Sequence, residues 1–163
     1  MHASAQKVAD AARNLGLDIQ VVEFDETTRT APDAARAIGC QLAQIVKSLV
    51  FMAGEQPVMA LVSGANRLDE HKLAALCGCS RKHIRRADAE TARAITGFVI
   101  GGVPPFGHAR PLPVYVDEDL TRFEVVWAAA GTPWSVFAIA PADLVRASGG
   151  RVADLKQEEG GTP

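Results

Sequence analysis

The sequence predicts an α+β domain built on a mixed sheet. Segments with strand and helix patterns are interspersed without a regular βαβ rhythm, which disfavours a doubly wound nucleotide-binding fold. Two apolar segments on either side of residues 54–57 predict a β-hairpin. The chain also contains neither a G-x-G-x-x-G sequence nor a P-loop.

Five helices are predicted from capping residues, a 3.6-residue apolar period and terminal glycines. In chain order they cover residues 4–16, 32–39, 69–78, 88–97 and a segment that begins at Pro141. The strands are predicted from apolar alternation or short apolar runs. They cover residues 18–24, 45–51, 58–62, 81–86 (as an edge strand), 98–100, 114–116, 123–128, 135–140 and 151–155.

Length and composition favour one globular domain. The 163 residues suit a single domain over residues 1–155, with a flexible tail at 156–163. With 17 Lys and Arg against 19 Asp and Glu, the net charge is −2, which excludes coating of nucleic acid by bulk charge. No apolar run is long enough for a membrane span, no signal core opens the chain, and three cysteines make no disulfide framework. We therefore expect a cytoplasmic protein without membrane contact.

Lys47 stands in the middle of an apolar row. In an extended strand it shares one face with Ile45, Leu49 and Phe51. One interpretation is an edge lysine whose stem covers apolar surface while its ammonium reaches water. The other is a pocket lysine that binds an anionic or carbonyl group, since partial desolvation strengthens such a contact.

The segment 101–108 combines two glycines, two prolines and a third glycine before His108. Glycine lets a ligand approach the backbone closely, and the prolines stiffen the chain. Such a loop can aim peptide groups at an oxyanion or a water, and a plain strand-ending turn is the alternative. His108 is a candidate base or anchor, with a surface histidine as the other interpretation.

Other chemistry has weaker support in the sequence. Cys77 and Cys79 are spaced too closely for a typical zinc site, so no metal is expected. No serine or cysteine has a neighbour that marks it as a nucleophile. The basic run at 81–86 is typical of a solvated face, although it could contact phosphates.

Three segments, at this order and spacing, resemble the YbaK/ProX family of trans-editing aminoacyl-tRNA deacylases. They are QIVKSLVF at 44–51, LDEHKL at 68–73 and TGFVIGGVPPFG at 96–107. Members are related to the editing domain inserted in bacterial prolyl-tRNA synthetases. The resemblance covers residues 5–153 and implies a curled, barrel-like mixed sheet around a pocket for an aminoacyl-adenosine terminus.

The resemblance also implies the site. Lys47, Gly101 and Gly102 match the family's catalytic positions, the glycine backbone placing the attacking water or holding the substrate. The expected substrate-binding residues are Thr30, Ser63, Pro105, His108, Gly131 and Ser135. No cofactor is implied. The expected partner is the 3′ end of a mischarged tRNA, with an aminoacyl-tRNA synthetase as a second candidate.

Two departures bear on the substrate. YbaK-type members have Ser-Pro where this chain has Pro104-Pro105, and an aspartate where it has Ser135. These differences disfavour the branch that clears Cys-tRNA and favour small residues such as Ala, Ser or Thr. The alternative function is a non-catalytic module of the same fold that binds a tRNA or a synthetase.

Overall fold

The structure, a computed structural model, describes residues 1–158 as five α-helices and eight β-strands. The helices are α1 (Ala3–Asn14), α2 (Ala31–Ile38), α3 (Glu70–Cys77), α4 (Ala89–Thr96) and α5 (Pro141–Ser148). The strands are β1 (Val21–Glu23), β2 (Val46–Ala53), β3 (Gln56–Ser63), β4 (Ile84–Arg86), β5 (Val114–Asp117), β6 (Val126–Ala129), β7 (Ser135–Ile139) and β8 (Arg151–Ala153). None of the described helices is long and apolar enough to cross a membrane.

The strands form two sheets. A five-stranded sheet has the order β4-β2-β3-β5-β8, with β3, β5 and β8 parallel and the other pairs antiparallel. A three-stranded antiparallel sheet has the order β1-β7-β6. A parallel bridge between Ile45 and Trp127 joins the two. The α+β class and the mixed sheet are confirmed, although the strands do not close into a barrel.

Alternation along β2 separates two parts of the core. Val46 and Val50 face a large cluster that includes residues of α1, α4, α5 and the three-stranded sheet. Phe51 faces a second cluster with Leu73 of α3. Lys47 lies on the Phe51 side and Ser48 on the Val50 side, because successive strand residues point to opposite faces.

The predicted helices are all present, and the strands predicted at 18–24, 123–128 and 151–155 are shorter than expected. Two other strand predictions need a larger correction. Residues 81–86 begin with a 3₁₀ turn (Arg81–His83), and only Ile84–Arg86 form a strand. Residues 98–100 form no strand: Gly102 N–H donates to Val99 O over 3.0 Å, which closes a turn. Positive φ at Gly97 (85°) and Gly101 (92°) reverses the chain at both ends of this segment, so it cannot extend.

The first residues of the predicted tail at 156–163 contact the rest of the domain. Lys156 forms an antiparallel bridge with Leu68, and Gln157 N–H donates to Arg67 O over 2.8 Å. Leu155 before them is fully buried. Residues 159–163 of that predicted tail lie outside the described residues.

Candidate active site

A cavity of about 380 Å³ lies beside the first half of β2. Its walls come from residues 28–32, 45–49 and 127–129, together with Ala34, Gly64, Arg86, Ile100, Gly101, Val103 and Val136. The size is typical of small-ligand sites. Three of its lining residues are cationic, and none of those in the described chain is Asp, Glu, His or Cys. The cavity therefore favours a neutral or anionic ligand.

Strand register opens one edge of β2 to this cavity. Hydrogen bonding alternates along an antiparallel pair, so successive residues direct their peptide groups to opposite edges. Gly64 N–H donates to Ile45 O over 2.7 Å, on the β3 side, and Lys47 lies in register with Val62. The N–H and C=O of Ser48 therefore point away from β3.

Two strands cover this edge on either side of Ser48. Ile45 forms its bridge with Trp127 of β6, and Ala87 N–H donates to Val50 O over 3.0 Å at the start of the β4 pairing. Between these points Ser48 pairs with no strand on this edge in residues 1–158. Because β4 and β6 diverge here, a cavity lies between them, and the N–H and C=O of Ser48 face it without a strand partner among the described residues.

Lys47 lines the cavity and is half-buried. Its Nζ donates a hydrogen bond to Asn66 O, in the loop after β3. Burial is the main cause that lowers the pKa of Lys47; the positive charges of Arg86 and Arg67 lower it further, and Asp117 opposes them. The ammonium is therefore less favoured here than in water, so an anionic or carbonyl oxygen would stabilise it.

Asp117 and Asp119 form an acidic pair that holds the loop containing Asn66, the hydrogen-bond acceptor of Lys47. Asn66 Nδ2 donates to Asp117 Oδ2 and Asp119 Oδ2, each over 2.9 Å. Lys156 Nζ also donates to Asp119 Oδ2, over 3.0 Å. These donors hold the pKa of Asp119 below its ordinary value, with the Asn66 hydrogen bond as the largest cause. The network fixes the position of the Asn66 carbonyl and, through it, of Lys47.

The two glycines of the predicted loop have different surroundings. Gly101 lines the cavity with φ +92°, and a Cβ there would lie 2.6 Å from Arg29 Cγ. Gly102 is buried behind it, and a Cβ there would lie 2.8 Å from backbone atoms of Gly131 and Thr132. Gly131 N–H donates to Gly102 O over 2.9 Å. Gly101 therefore lines the cavity with the Arg29 side chain packed beside it, whereas Gly102 anchors the turn.

Thr30 lines the cavity, whereas Ser63 does not. Thr30 is a lining residue, and its Oγ1 also accepts from Asp33 N over 3.2 Å as the cap of α2. Ser63 is buried at the end of β3, where its N–H donates to Asp117 Oδ2 over 3.0 Å. Its neighbour Gly64 lines the cavity instead.

Gly131 and Ser135 support the wall behind the glycine turn and do not line the cavity. Gly131 has φ +98°, and a Cβ there would collide with the backbone of Ser4. Ser135 is fully buried, with its Oγ 2.5 Å from Thr132 Oγ1. Both residues therefore pack the wall and do not contact the space where a ligand would lie.

Pro105 and His108 lie away from the cavity. Pro105 is buried in the 101–108 segment. His108 lines a separate groove, and its Nε2 lies 2.7 Å from Pro104 O. Burial lowers the pKa of His108, and the hydrogen bond to Pro104 opposes this shift. The stiff loop thus presents Gly101 to the cavity and turns His108 away.

Comparison with known proteins identifies the family. The sequence model of a family described as "Aminoacyl-tRNA editing domain" matches residues 25–147. The chain belongs to this family. Membership confirms the resemblance found in the sequence and the predicted enzyme class, an aminoacyl-tRNA deacylase.

Relatives and solved structures match most of this editing domain. The "Uncharacterized protein YwhH" of Bacillus subtilis (strain 168) is 34% identical over 125 residues, 76% of this chain and 78% of that protein. EbsC of Enterococcus faecalis (strain ATCC 700802 / V583), named as a candidate Cys-tRNA(Pro)/Cys-tRNA(Cys) deacylase, is 26% identical over 83% of this chain and 82% of its own. A crystal structure described as a candidate trans-editing enzyme for prolyl tRNA synthetase superposes with a TM-score of 0.91 and 46% identity, covering 97% of this chain and 99% of that one.

A longer relative contains a similar region. The proline–tRNA ligase of Moorella thermoacetica (strain ATCC 39073 / JCM 9320) is 32% identical over 131 residues. That match covers 74% of this chain but only 20% of the ligase. The editing domain described here therefore corresponds to a minor part of the synthetase.

Sequence reasoning missed several cavity residues of the editing domain. Arg29 and Arg86 lie at the cavity, although Arg86 belongs to the run assigned to a solvated face. Arg86 also lies over the Phe51 ring, with its guanidinium carbon 5.7 Å from the centroid. Ser48 was missed because a single serine on an apolar strand carries no motif. Its position next to Lys47 was the only available signal.

The alternative zinc site has no support in the described chain. Cys77 and Cys79 are half-buried free thiols. Residues 1–158 contain no group of three or more His, Cys, Asp or Glu side chains placed to hold a metal ion. A site at this end of α3 would therefore lack the ligands that zinc requires.

Proposed function

We propose that this protein hydrolyses the ester that links a small amino acid, Ala, Ser or Thr, to the 3′ end of a mischarged tRNA. The observation that carries the proposal is the cavity itself, where Lys47, Gly101 and Thr30 meet beside an open strand edge. Its cationic lining suits a ribose-phosphate terminus. The single catalytic domain over residues 1–155 is part of this proposal.

The proposed reaction uses no side-chain nucleophile. The oxygen of a water attacks the ester carbonyl carbon, and the bond from that carbon to the ribose 3′ oxygen breaks. The proton of the water passes to the leaving 3′ oxygen by way of the vicinal ribose hydroxyl. The products are the free amino acid and a tRNA with a free 3′ hydroxyl. The lining residues fit this route because, within residues 1–158, they include neither a His nor a carboxylate that could act as a general base.

Each proposed catalytic group then either positions the substrate or the water, or stabilises the negative charge that develops on the carbonyl oxygen. Lys47 binds a phosphate or the carbonyl oxygen, whose negative charge grows as the water adds. The backbone at Gly101 places the water, and Gly102, whose N–H bonds to Val99 O and whose C=O accepts from Gly131 N–H, holds the turn that presents Gly101. An aminoacyl ester is already activated, so holding water and ester in the correct geometry supplies much of the acceleration. Thr30 lines the same cavity and serves as a substrate contact.

The proposed preference for small amino acids is supported by a recess beside the main cavity. This recess has a volume of about 30 Å³, which is room for one or two water-sized groups. A missing methylene changes binding by only about 1–3 kcal/mol, so exclusion of larger side chains by collision discriminates better. Prolyl esters, whose ring carries three side-chain carbons, are expected to be excluded.

A deacylation panel tests the proposal. The purified protein is incubated with tRNA(Pro) charged with Ala, Ser, Thr, Cys or Pro, and loss of the ester is followed; Cys is included because of the name of EbsC. We expect wild type to clear at least one small residue and to spare Pro. Lys47→Met keeps the apolar stem and removes the charge, and it should lower kcat/KM at least about 100-fold.

Lys82→Ala is the matched control, because Lys82 is exposed and lies outside the cavity lining. It should retain wild-type rates. If no ester is cleared although the tRNA binds, the non-catalytic module is the correct function. Equal rates for wild type and Lys47→Met would contradict the role of Lys47.

The partners follow from the same proposal. The substrate is an aminoacyl-tRNA, engaged at its mischarged 3′ end, and prolyl-tRNA synthetase is the proposed synthetase partner because similar regions occur within proline–tRNA ligases. A pull-down with purified synthetase tests this contact. The cytoplasmic location stays a prediction.

A further inference from the structure

A small recess adjoins the main cavity and shares part of its lining. It shares Ser48, Arg86, Gly101, Ile100 and Val103 with the cavity, and its remaining walls are Val50, Ala87 and Ala92. Most of these walls are aliphatic. The recess is therefore placed to receive a small uncharged group from a ligand that occupies the main cavity.

Ser48 supplies the hydroxyl of this recess. Its Oγ is buried and has no hydrogen-bond partner among the described residues. Buried hydroxyls are nearly always paired, since water can no longer satisfy them. The side chain lies on the Val50 face of β2, and both Ser48 and Val50 line the recess.

The charges around the recess decide which part of the substrate enters. Arg86 lines the recess, Lys47 lines the adjoining cavity, and neither space is lined by a carboxylate in the described chain. An α-ammonium group would therefore meet like charge without compensation. The phosphates are too large for the recess. The side chain of the aminoacyl group is the part that fits.

We propose that Ser48 Oγ hydrogen-bonds the side-chain hydroxyl of a seryl ester and that Ser48 thereby makes serine the preferred residue of the editing reaction. This inference rests on the proposed function and narrows its substrate class. A seryl side chain has two heavy atoms, matching the recess, whereas the threonyl methyl adds a third. An alanyl ester fits but leaves Ser48 unpaired, which discriminates against it.

The test compares seryl-tRNA with an isosteric apolar ester. The α-aminobutyryl group replaces the serine hydroxyl by a methyl at nearly equal volume, so the rate ratio isolates the hydrogen bond. For wild type we expect kcat/KM to be at least about 10-fold higher for the seryl ester, as expected of a site built to bind a hydroxyl. In Ser48→Ala the ratio should fall to about 1.

Ser48→Thr retains the hydroxyl and should retain a preference for the seryl over the aminobutyryl ester. Equal wild-type rates on these two esters, as expected if only a water occupies the recess, would overturn the inference and leave the proposed function intact. An unchanged ratio in Ser48→Ala would overturn it as well. A wild type that clears no ester at all would overturn both. Because the wild-type ratio needs no variant, poor folding of a mutant cannot obscure the result.

Discussion

Replacing Asn66 with alanine should lower both the stability of the protein and its rate of deacylation. Asn66 links the acidic pair to Lys47. Its side-chain amide donates to Asp117 and Asp119, and its backbone carbonyl accepts from Lys47. The substitution leaves the backbone carbonyl in place but removes both side-chain donors. It therefore tests whether the network, and not the carbonyl alone, positions the lysine.

The expected loss of stability follows from the two lost hydrogen bonds. A hydrogen bond to a charged group contributes about 1.5–3 kcal/mol. Asp117 is fully buried but keeps the N–H of Ser63 at 3.0 Å, and the partly exposed Asp119 keeps Lys156 at 3.0 Å. The combined cost should therefore be about 2–4 kcal/mol. For a domain of this size the melting midpoint would fall by about 5–15 °C.

The expected loss of rate is in kcat. If Lys47 is displaced by about 1 Å, kcat should fall by about 10- to 100-fold while KM changes little, because geometry at the reacting atoms is lost. The assays are thermal unfolding and deacylation of seryl-tRNA at saturating concentration. Asn14→Ala is the matched control, because Asn14 is the only other asparagine of the chain and is exposed at the end of α1.

Equal melting midpoints for Asn66→Ala and Asn14→Ala would refute the network as a stabilising element. A lowered midpoint with unchanged kcat at a temperature where the variant is folded would refute its role in positioning Lys47. Loss of rate without loss of stability would place the effect in substrate contact instead. Because each variant is measured in both assays, the three outcomes separate the effect of the network on stability from its effect on the orientation of Lys47.

Two further predictions concern the glycine turn and the lysine. Gly102→Ala should lower the free energy of unfolding by about 1–3 kcal/mol, because the new Cβ meets the Gly131 backbone at 2.8 Å; an unchanged urea midpoint would contradict this packing. The contribution of Lys47 to the deacylation rate should be lost as the pH rises, and this loss should begin at a lower pH than for an ordinary lysine because the pKa of Lys47 is lowered. Arg86→Ala should move the loss to higher pH, because removing a positive charge raises the pKa of Lys47. The ratio of wild-type to Lys47→Met rates across pH measures this, and a profile unaffected by Arg86→Ala would contradict it.

The sequence predicted the parts of the fold that depend on local pattern. The β2–β3 hairpin follows from alternation on either side of a turn, and the helix caps at Asp69 and Asp88 accept hydrogen bonds as expected. Residues 98–100 were mistaken for a strand because three apolar residues between glycines look alike in a strand and in a buried turn. Phe98 is buried there, and within residues 1–158 it belongs to no strand.

The cavity could be predicted only in part because it arises from long-range pairing. Lys47 was visible as a charge in an apolar row, and Gly101 as part of a glycine–proline segment. The sequence around Ser48 does not predict that β4 and β6 diverge beside it, because those strands lie about 40 and 80 residues further along the chain. For the same reason His108 was grouped with the site: it follows the loop in sequence but leaves the cavity in space.

The makeup of the cavity explains why so few of its residues carry a catalytic signature. An enzyme that creates a nucleophile needs a base and an acid, and such groups are recognisable in a sequence. An activated ester needs only a positioned water, a place for negative charge and a boundary that excludes wrong side chains. Here peptide groups of β2 and of the Gly101 turn face the cavity, and such groups are fixed by folding and cost no reorganisation during reaction. Substitutions in this site should therefore act mainly through geometry, and the Ser48 and Asn66 variants address that directly because each leaves the peptide groups in place.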